Sequence, residues 1–303
     1  ICSGLVGSEM CIRDRGTPSG WPPTPPILRT LSDEKGRLLE EESATNTLYG
    51  FFMQESLQPT ERVKVDVSFR YDHTRFEIDN TAYGEYVWGN DNYTYFASPD
   101  ITETNKTFKL FSPKLGVTYA LNAAFNVYGV LAQSGQVPSE SEIQSNTDLD
   151  AAKARNIEVG LKGRARDWSL DLSLYRTVVS DEIVSVLNPD MSTDFQNAGE
   201  TLKKGLEISA RYDIDERFWL EGGFAFSDFT FTDFDELVRT GPTLNPMDRS
   251  GNQIPFVPRQ QYSLGLGYSH PQGFRAVLRS NSWGSYYMDN ANTCLLYTSP
   301  SPR

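Results

Sequence analysis

Between Asn156 and Phe234, apolar and polar residues alternate in four runs. Ile157, Val159 and Leu161 stand on one side of the first run. Trp168, Leu170, Leu172 and Leu174 do so in the second, Leu206, Ile208, Ala210 and Tyr212 in the third. Phe218, Leu220, Phe224 and Phe226 complete the set. A side-chain period of two predicts strands, with one face against something apolar and the other against something polar. Tight turns at Arg164–Asp167 and Asp213–Glu216 close two hairpins. The opposite faces carry Glu158, Lys162, Asp171, Glu207 and Arg211, so both faces cannot be core.

The same unit repeats along the chain. Strands are predicted over Thr47–Ser56, Arg62–Ile78, Phe108–Leu121, Phe125–Gln133, Gln261–Tyr268 and Phe274 to about Met288. With the four above they make ten strands in five hairpins. Turns near Gln58, Asn122, Arg164, Asp213 and Pro271 are short. The alternate connections, including Asp79–Lys106, Ser134–Ala154 and Thr232–Pro258, are long, polar and read as loops, as does Thr17–Ser43. Sorting of loop length by parity is the habit of outer-membrane barrels. A soluble β-sandwich is the alternative, because alternation by itself fits it too. Charged rows opposite long aliphatic rows favour a wide barrel, with the charged row on a wet lumen and the aliphatic row on lipid. The expected fold is all-β, an antiparallel transmembrane β-barrel fragment.

Composition adds limits. The chain has 303 residues, 38% of them hydrophobic, and a net charge of -12. No run approaches the roughly 18 apolar residues of a membrane helix, which excludes helical spans and leaves barrels open. The acidic balance argues against a nucleic-acid partner.

The two ends stand apart. Leu5–Arg15 (LVGSEMCIRDR) and Cys294–Arg303 (CLLYTSPSPR) can be encoded by reverse complements of one DNA sequence. An inverted repeat at both ends of one frame resembles a translated sequencing adapter. Residues 1–16 and 294–303 are therefore set aside, and residues 17–293 are taken as the partial barrel. Cys2, Cys11 and Cys294 all lie in those ends, so disulfide and cysteine–metal readings fall away.

Several phrases, in order, resemble the barrel of TonB-dependent outer-membrane receptors of the siderophore-receptor kind. Phe111–Tyr119 (FSPKLGVTY) is similar to that family's FSPKLG strand, and Ala152–Gly163 to its EKSxNYEVGLK segment. Leu174–Thr177 (LYRT), Asn197–Glu200 (NAGE) followed by Lys204–Glu207, and Asn252–Arg259 (NQIPFVPR) continue the likeness. At Gly135–Ser139 (GQVPS) the family's usual basic residue is missing. The resemblance covers Thr47–Thr293. It implies about ten strands of a barrel of about 22, with the N-terminal plug and the transducer-binding box lying outside this piece. It also implies the outer membrane of a Gram-negative bacterium, lipid around the barrel, and coupling to the inner-membrane TonB energy transducer. The implied activity is uptake of a scarce nutrient chelate, a ferric siderophore first, with cobalamin, haem or glycans open. A passive porin and a soluble glycan-binding β-sandwich are the rival readings.

No residue cluster argues for catalysis, a cofactor or a metal. His73 and His270 are far apart, and Asp171, Asp181 and Glu182 lack a Ser or His partner at informative spacing. Ligand capture is the better reading. Tyr83, Tyr86, Trp88, Tyr93 and Tyr95 concentrate rings among Gly and Asn, where they offer rigid contact area with a polar handle, or pack as an interfacial girdle. Trp283 poses the same choice. Arg70 and Arg155, with Arg211 and Arg279, are expected either to attract an anionic chelate from the lumen or to pair with nearby carboxylates.

Overall fold

A computed structural model describes residues 38–89, 92–187, 193–240 and 243–297. They fall into two compact units. One holds the chain up to Thr47 and Arg75–Lys106, the other Leu48–Thr74 and the chain from Thr107 on.

The strands are β1 (Glu40–Thr60), β2 (Val63–Gly89), β3 (Asn92–Ala120), β4 (Phe125–Gln136), β5 (Ala152–Arg164), β6 (Trp168–Leu187), β7 (Thr193–Asp213) and β8 (Phe218–Asp233). Then come β9 (Asp235–Thr240), β10 (Thr243–Asp248), β11 (Gln260–Ser269), β12 (Arg275–Trp283), β13 (Tyr286–Tyr287) and β14 (Leu295–Leu296). One helix, α1 (Glu140–Ser145), lies between β4 and β5. Ten strands form one sheet in the order β1-β2-β3-β4-β5-β6-β7-β8-β11-β12, a meander of neighbours. β9 pairs with β10, and β13 with β14, as separate ribbons.

The ten predicted strands are present, most of them longer than their alternation suggested, but β12 ends at Trp283 where a strand to about Met288 is expected. β2 and β3 run through the segment read as the Asp79–Lys106 loop, and β6 and β7 extend to Leu187 and from Thr193. β1 likewise begins at Glu40, inside the segment read as a loop to Ser43. Beyond a membrane both faces of a ribbon meet water, so its strands need no apolar period. The backbone ladder then holds them without leaving a pattern in the side chains.

The short connections are closed by side chains that stand in for backbone partners. Thr60 Oγ1 accepts from the N–H of Val63 at 3.1 Å. Asn122 Oδ1 accepts from Ala124 and Phe125 at 2.9 and 3.0 Å. Asp215 Oδ1 accepts from Arg217 and Phe218, both at 2.7 Å. Those two amides hold the Asp215 carboxyl below the usual carboxylate range. Gly273 takes φ +92 in the last short turn, a conformation that costs a glycine little.

Register builds one apolar face across the second unit. Tyr119, Val127, Leu161, Leu172, Ile208, Phe224 and Tyr262 line up strand to strand. Val159, Leu174, Leu206 and Phe226 form the next row. These side chains are not covered: Leu131 is 53%, Ile157 52% and Val159 51% exposed. In water each such side chain forfeits about 1.5–3 kcal/mol of burial. A sandwich would stack a second sheet here, and the other sheets among the described residues have two strands each. The row nearest the short turns is aromatic, with Phe125 and Trp168 rings 5.3 Å apart and Phe218 and Tyr268 rings 4.7 Å apart.

The opposite face is a lattice of paired charges. Lys64–Asp66 (3.0 Å), Lys162–Asp171 (3.4 Å), Arg211–Asp213 (2.7 Å) and Arg279–Glu221 (3.0 Å) all lie on it. Tyr128 and Tyr175 cross it over Gly160 and Gly205, where a Cβ would run into the rings.

A closed core lies on the side of the long connections. Val186, Ala198, Phe231 and Phe234 are buried there, with Val184 and Ile254 packed against them. Phe231 and Phe234 rings stand 4.8 Å apart. Beside them Arg249 Nε meets Glu236 Oε2 at 2.6 Å, and Asn290 Nδ2 donates to Glu236 Oε1 at 2.8 Å. Asn290 Nδ2 also donates to the Ser185 carbonyl (3.1 Å), so the charged pair ties the β9–β10 ribbon to β6.

Candidate ligand-capture site

In the first unit, the far parts of β2 and β3 bring Tyr83, Tyr86 and Tyr95 together. Tyr86 and Tyr95 rings are 5.4 Å apart and tilted by 54°. Tyr95 OH donates to the Tyr83 carbonyl at 3.0 Å, and Tyr83 OH to Glu41 Oε2 at 2.9 Å. That hydrogen bond raises the Tyr83 pKa, and the negative charge of the carboxylate adds to the effect. Gly84 leaves the space that the Tyr95 hydroxyl fills. Phe96 and Ile101 add exposed apolar surface to the same unit. Trp88 and Tyr93 fall within β2 and β3, and their side chains lie outside the described residues.

The remaining candidates sit in the second unit, on separate strands. Arg70 makes a two-point contact with Asp72, Nε to Oδ2 and Nη2 to Oδ1, both 2.7 Å. Its charge is thus matched within its own strand. Trp283 stands opposite Gln261 on the polar face and lines a groove of 640 Å³. Tyr128, Lys162, Asp171, Glu207 and Asn281 share that groove. Tyr128 OH donates to Glu158 Oε1 at 2.7 Å, and Lys162 Nζ lies 5.6 Å from the Tyr128 ring centre.

Arg155 is on the other face. It shares strand parity with Ile157 and Val159, and it pairs across β5 and β6 with Val178. Parity alone predicts this, because Arg155, Ile157, Val159 and Leu161 are all odd-numbered in one strand. Sequence reasoning also passed over Tyr128, and over α1, whose capping box of Ser139 and Glu142 is a legible S-x-x-E signal.

The chemistry these side chains offer is recognition. Clustered tyrosine faces suit a flat or aromatic ligand. In the groove Lys162 Nζ pairs with Asp171 Oδ1 at 3.4 Å. Among the described residues no group of His, Cys, Asp and Glu could hold a metal ion. His73 packs edge-on to Tyr49 at 6.4 Å, and His270 Nδ1 accepts from the Gln272 amide in a short turn.

An antiparallel meander with one uncovered apolar face, one charged face and connections sorted by length is part of a transmembrane β-barrel. The family model described as TonB dependent receptor-like, beta-barrel, matches residues 13–301, and the chain belongs to that family of transport receptors. It is 24% identical over 257 residues to the "Probable TonB-dependent siderophore receptor PiuA" of Acinetobacter baumannii, covering 80% of this chain and 32% of that protein. It is 22% identical over 151 residues to the "Metal-pseudopaline receptor CntO" of Pseudomonas aeruginosa, covering 50% of this chain and 21% of that protein. The ferric yersiniabactin uptake receptor FyuA from Yersinia pestis shares the fold, with a TM-score of 0.63 and 18% identity over 84% of this chain and 37% of that one. The chain thus spans about a third or less of the length of these relatives.

Proposed function

We propose that this chain is part of an outer-membrane active receptor of a Gram-negative bacterium that imports a scarce metal chelate, a ferric siderophore first. The observation that carries the reading is the cluster of exposed Tyr83 with half-buried Tyr86 and Tyr95 in a chain of the TonB-dependent barrel family. Trp88 and Tyr93, near it in sequence, are further residues proposed for capture, and Trp283 with Arg70 contributes polar-face contacts along the pathway. Energy comes from the inner-membrane TonB transducer acting on a plug outside this piece. The relatives include a receptor named for a metal–pseudopaline complex, so the chelated metal need not be iron.

The test is a fluorescence titration of the full-length receptor that carries this segment, with a ferric tris-catecholate, the iron-free catecholate and a copper chelate. Saturable quenching by the ferric form, weakened when Tyr86 and Tyr95 are changed to Ala, is expected. Saturation by the copper chelate alone would move the substrate away from iron. Uptake that rises linearly without saturation would put a passive porin in its place.

We also propose that residues 1–16 and 294–303 derive from a sequencing adapter. Long reads across the locus, without adapter, are expected to replace both peptides. Finding those codons in the genome would overturn this and restore the pairing of Leu295–Leu296 with Tyr286–Tyr287 as a native ribbon.

A further inference from the structure

The apolar face ends, toward the long connections, in a row of cations. Arg176 on β6 stands directly opposite Lys204 on β7, and Lys204 stands opposite Asp228 on β8. Arg155 lies diagonally beyond Arg176, since Ile157 is the direct partner of Arg176 and Val178 that of Arg155. Asp228 is shared: Lys204 Nζ reaches it at 3.6 Å and Arg259 Nη2 at 3.4 Å. Four cations thus face one carboxylate, in a chain whose net charge is -12. Among the described residues neither Arg155 nor Arg176 has an ion-pair partner. Like charges placed directly across a ladder repel, and the protein supplies little to offset them.

Depth explains what can. Trp168 pairs with Tyr212 eight positions before the Arg176–Lys204 pair on the same two strands. Eight residues span about 27 Å along a strand, or about 20 Å along the membrane normal at a tilt of ~40°. The aromatic row therefore marks one edge of the hydrocarbon and the cationic row the other, where a cation on the lipid face is tolerated. At that depth, outside the barrel, the groups within reach are lipid headgroups.

We propose that Arg155, Arg176, Lys204 and Arg259 form a binding site for the phosphate-bearing headgroup of a lipid in the leaflet facing the long connections. The neighbouring Ile157, Leu131 and Leu115 contact the upper part of its acyl chains. Guanidinium groups suit phosphate because their donors meet two oxygens at once. The site rests on the sheet being a membrane barrel and not on the identity of the transported chelate.

The test uses the delipidated full-length receptor in dodecyl maltoside micelles, titrated with diphosphoryl lipid A or with phosphatidylcholine and read by native mass spectrometry. Lipid A is expected to bind saturably and phosphatidylcholine weakly. Each cation removed is expected to cost about fivefold in affinity, so that Arg155→Gln with Arg176→Gln loses about 25-fold. Arg155→Gln alone, the milder change, should lose the single step if the double variant folds poorly. Arg166→Gln, in a short turn at the opposite end of the strands, should leave lipid A binding unchanged. Inorganic phosphate should not compete, because the acyl contacts are missing. Wild-type binding by the double variant, an equal loss in Arg166→Gln, or full competition by inorganic phosphate would each overturn the site. A ferric-chelate titration on the same preparation keeps the two readings apart: chelate binding without a lipid effect sinks only the headgroup site.

Discussion

Leu174 and Val186 lie on one strand, twelve positions apart, and meet opposite fates. Leu174 stands 48% exposed in the apolar row, whereas Val186 is fully buried beside Ala198, Phe231 and Phe234. The same contrast holds along β7 and β8. Near the short turns the sheet turns its aliphatic side chains outward, and toward the long connections it folds them into a core with its own ion pair. The solvent differs: hydrocarbon accepts exposed Leu and Val without penalty, and water does not. The change falls at Asp181, which adopts φ 58, opposite a register irregularity between Glu200 and Thr201. Beyond it Glu182 reaches Thr201 and Lys203, the latter at 2.5 Å. One sheet is thus two materials joined at a backbone irregularity.

The largest effect should come from emptying the water-side core. Phe231→Ala is expected to cost the loop-side body about 3–5 kcal/mol, seen as faster hydrogen exchange in β8–β10. Leu174→Ala, measured the same way in detergent, should change little, and equal effects at both positions would abolish the contrast. Next, Leu172→Arg, midway between the Trp168 and Arg176 rows, should destabilise the barrel by about 2–4 kcal/mol in vesicle unfolding. Ser173→Arg, one residue along and on the polar face, should stay within about 0.5 kcal/mol. If the two arginines cost the same, the assignment of faces is wrong. A smaller effect, about 1–3 kcal/mol of overpacking, is expected from Gly205→Ala, because a methyl there displaces the Tyr175 ring; Tyr175→Ala should relieve it in a double-mutant cycle. The least is Ser139→Ala, about 1 kcal/mol of lost capping confined to α1, with the membrane strands unchanged by hydrogen exchange.

Much of this is legible in the sequence. The alternation of Ile157, Val159 and Leu161 with Glu158 and Lys162 assigns each residue to a face, because a pleated strand allows no other arrangement. The short turns, with Asn122 and Asp215 placed to accept neighbouring amides, announced the hairpins. The tyrosines of the far β2–β3 ribbon were visible as a cluster, though not the Tyr95–Tyr83 contact that orders them. The same parity rule puts Arg155 on the face of Ile157 and Val159, away from the lumen expected for it.

The sequence by itself determined the strand faces, the parity of the connections and the family likeness, all of which depend on local period or on order along the chain. The tertiary structure decided what period cannot carry. It showed that polar segments continue as paired ribbons, because backbone hydrogen bonds are indifferent to side chains. It brought Glu236, Arg249 and Asn290 together from across the long connections, since a buried charge must find its partner wherever the chain supplies one. It also set Arg176 against Lys204, because register, which no single strand encodes, decides which charges face each other.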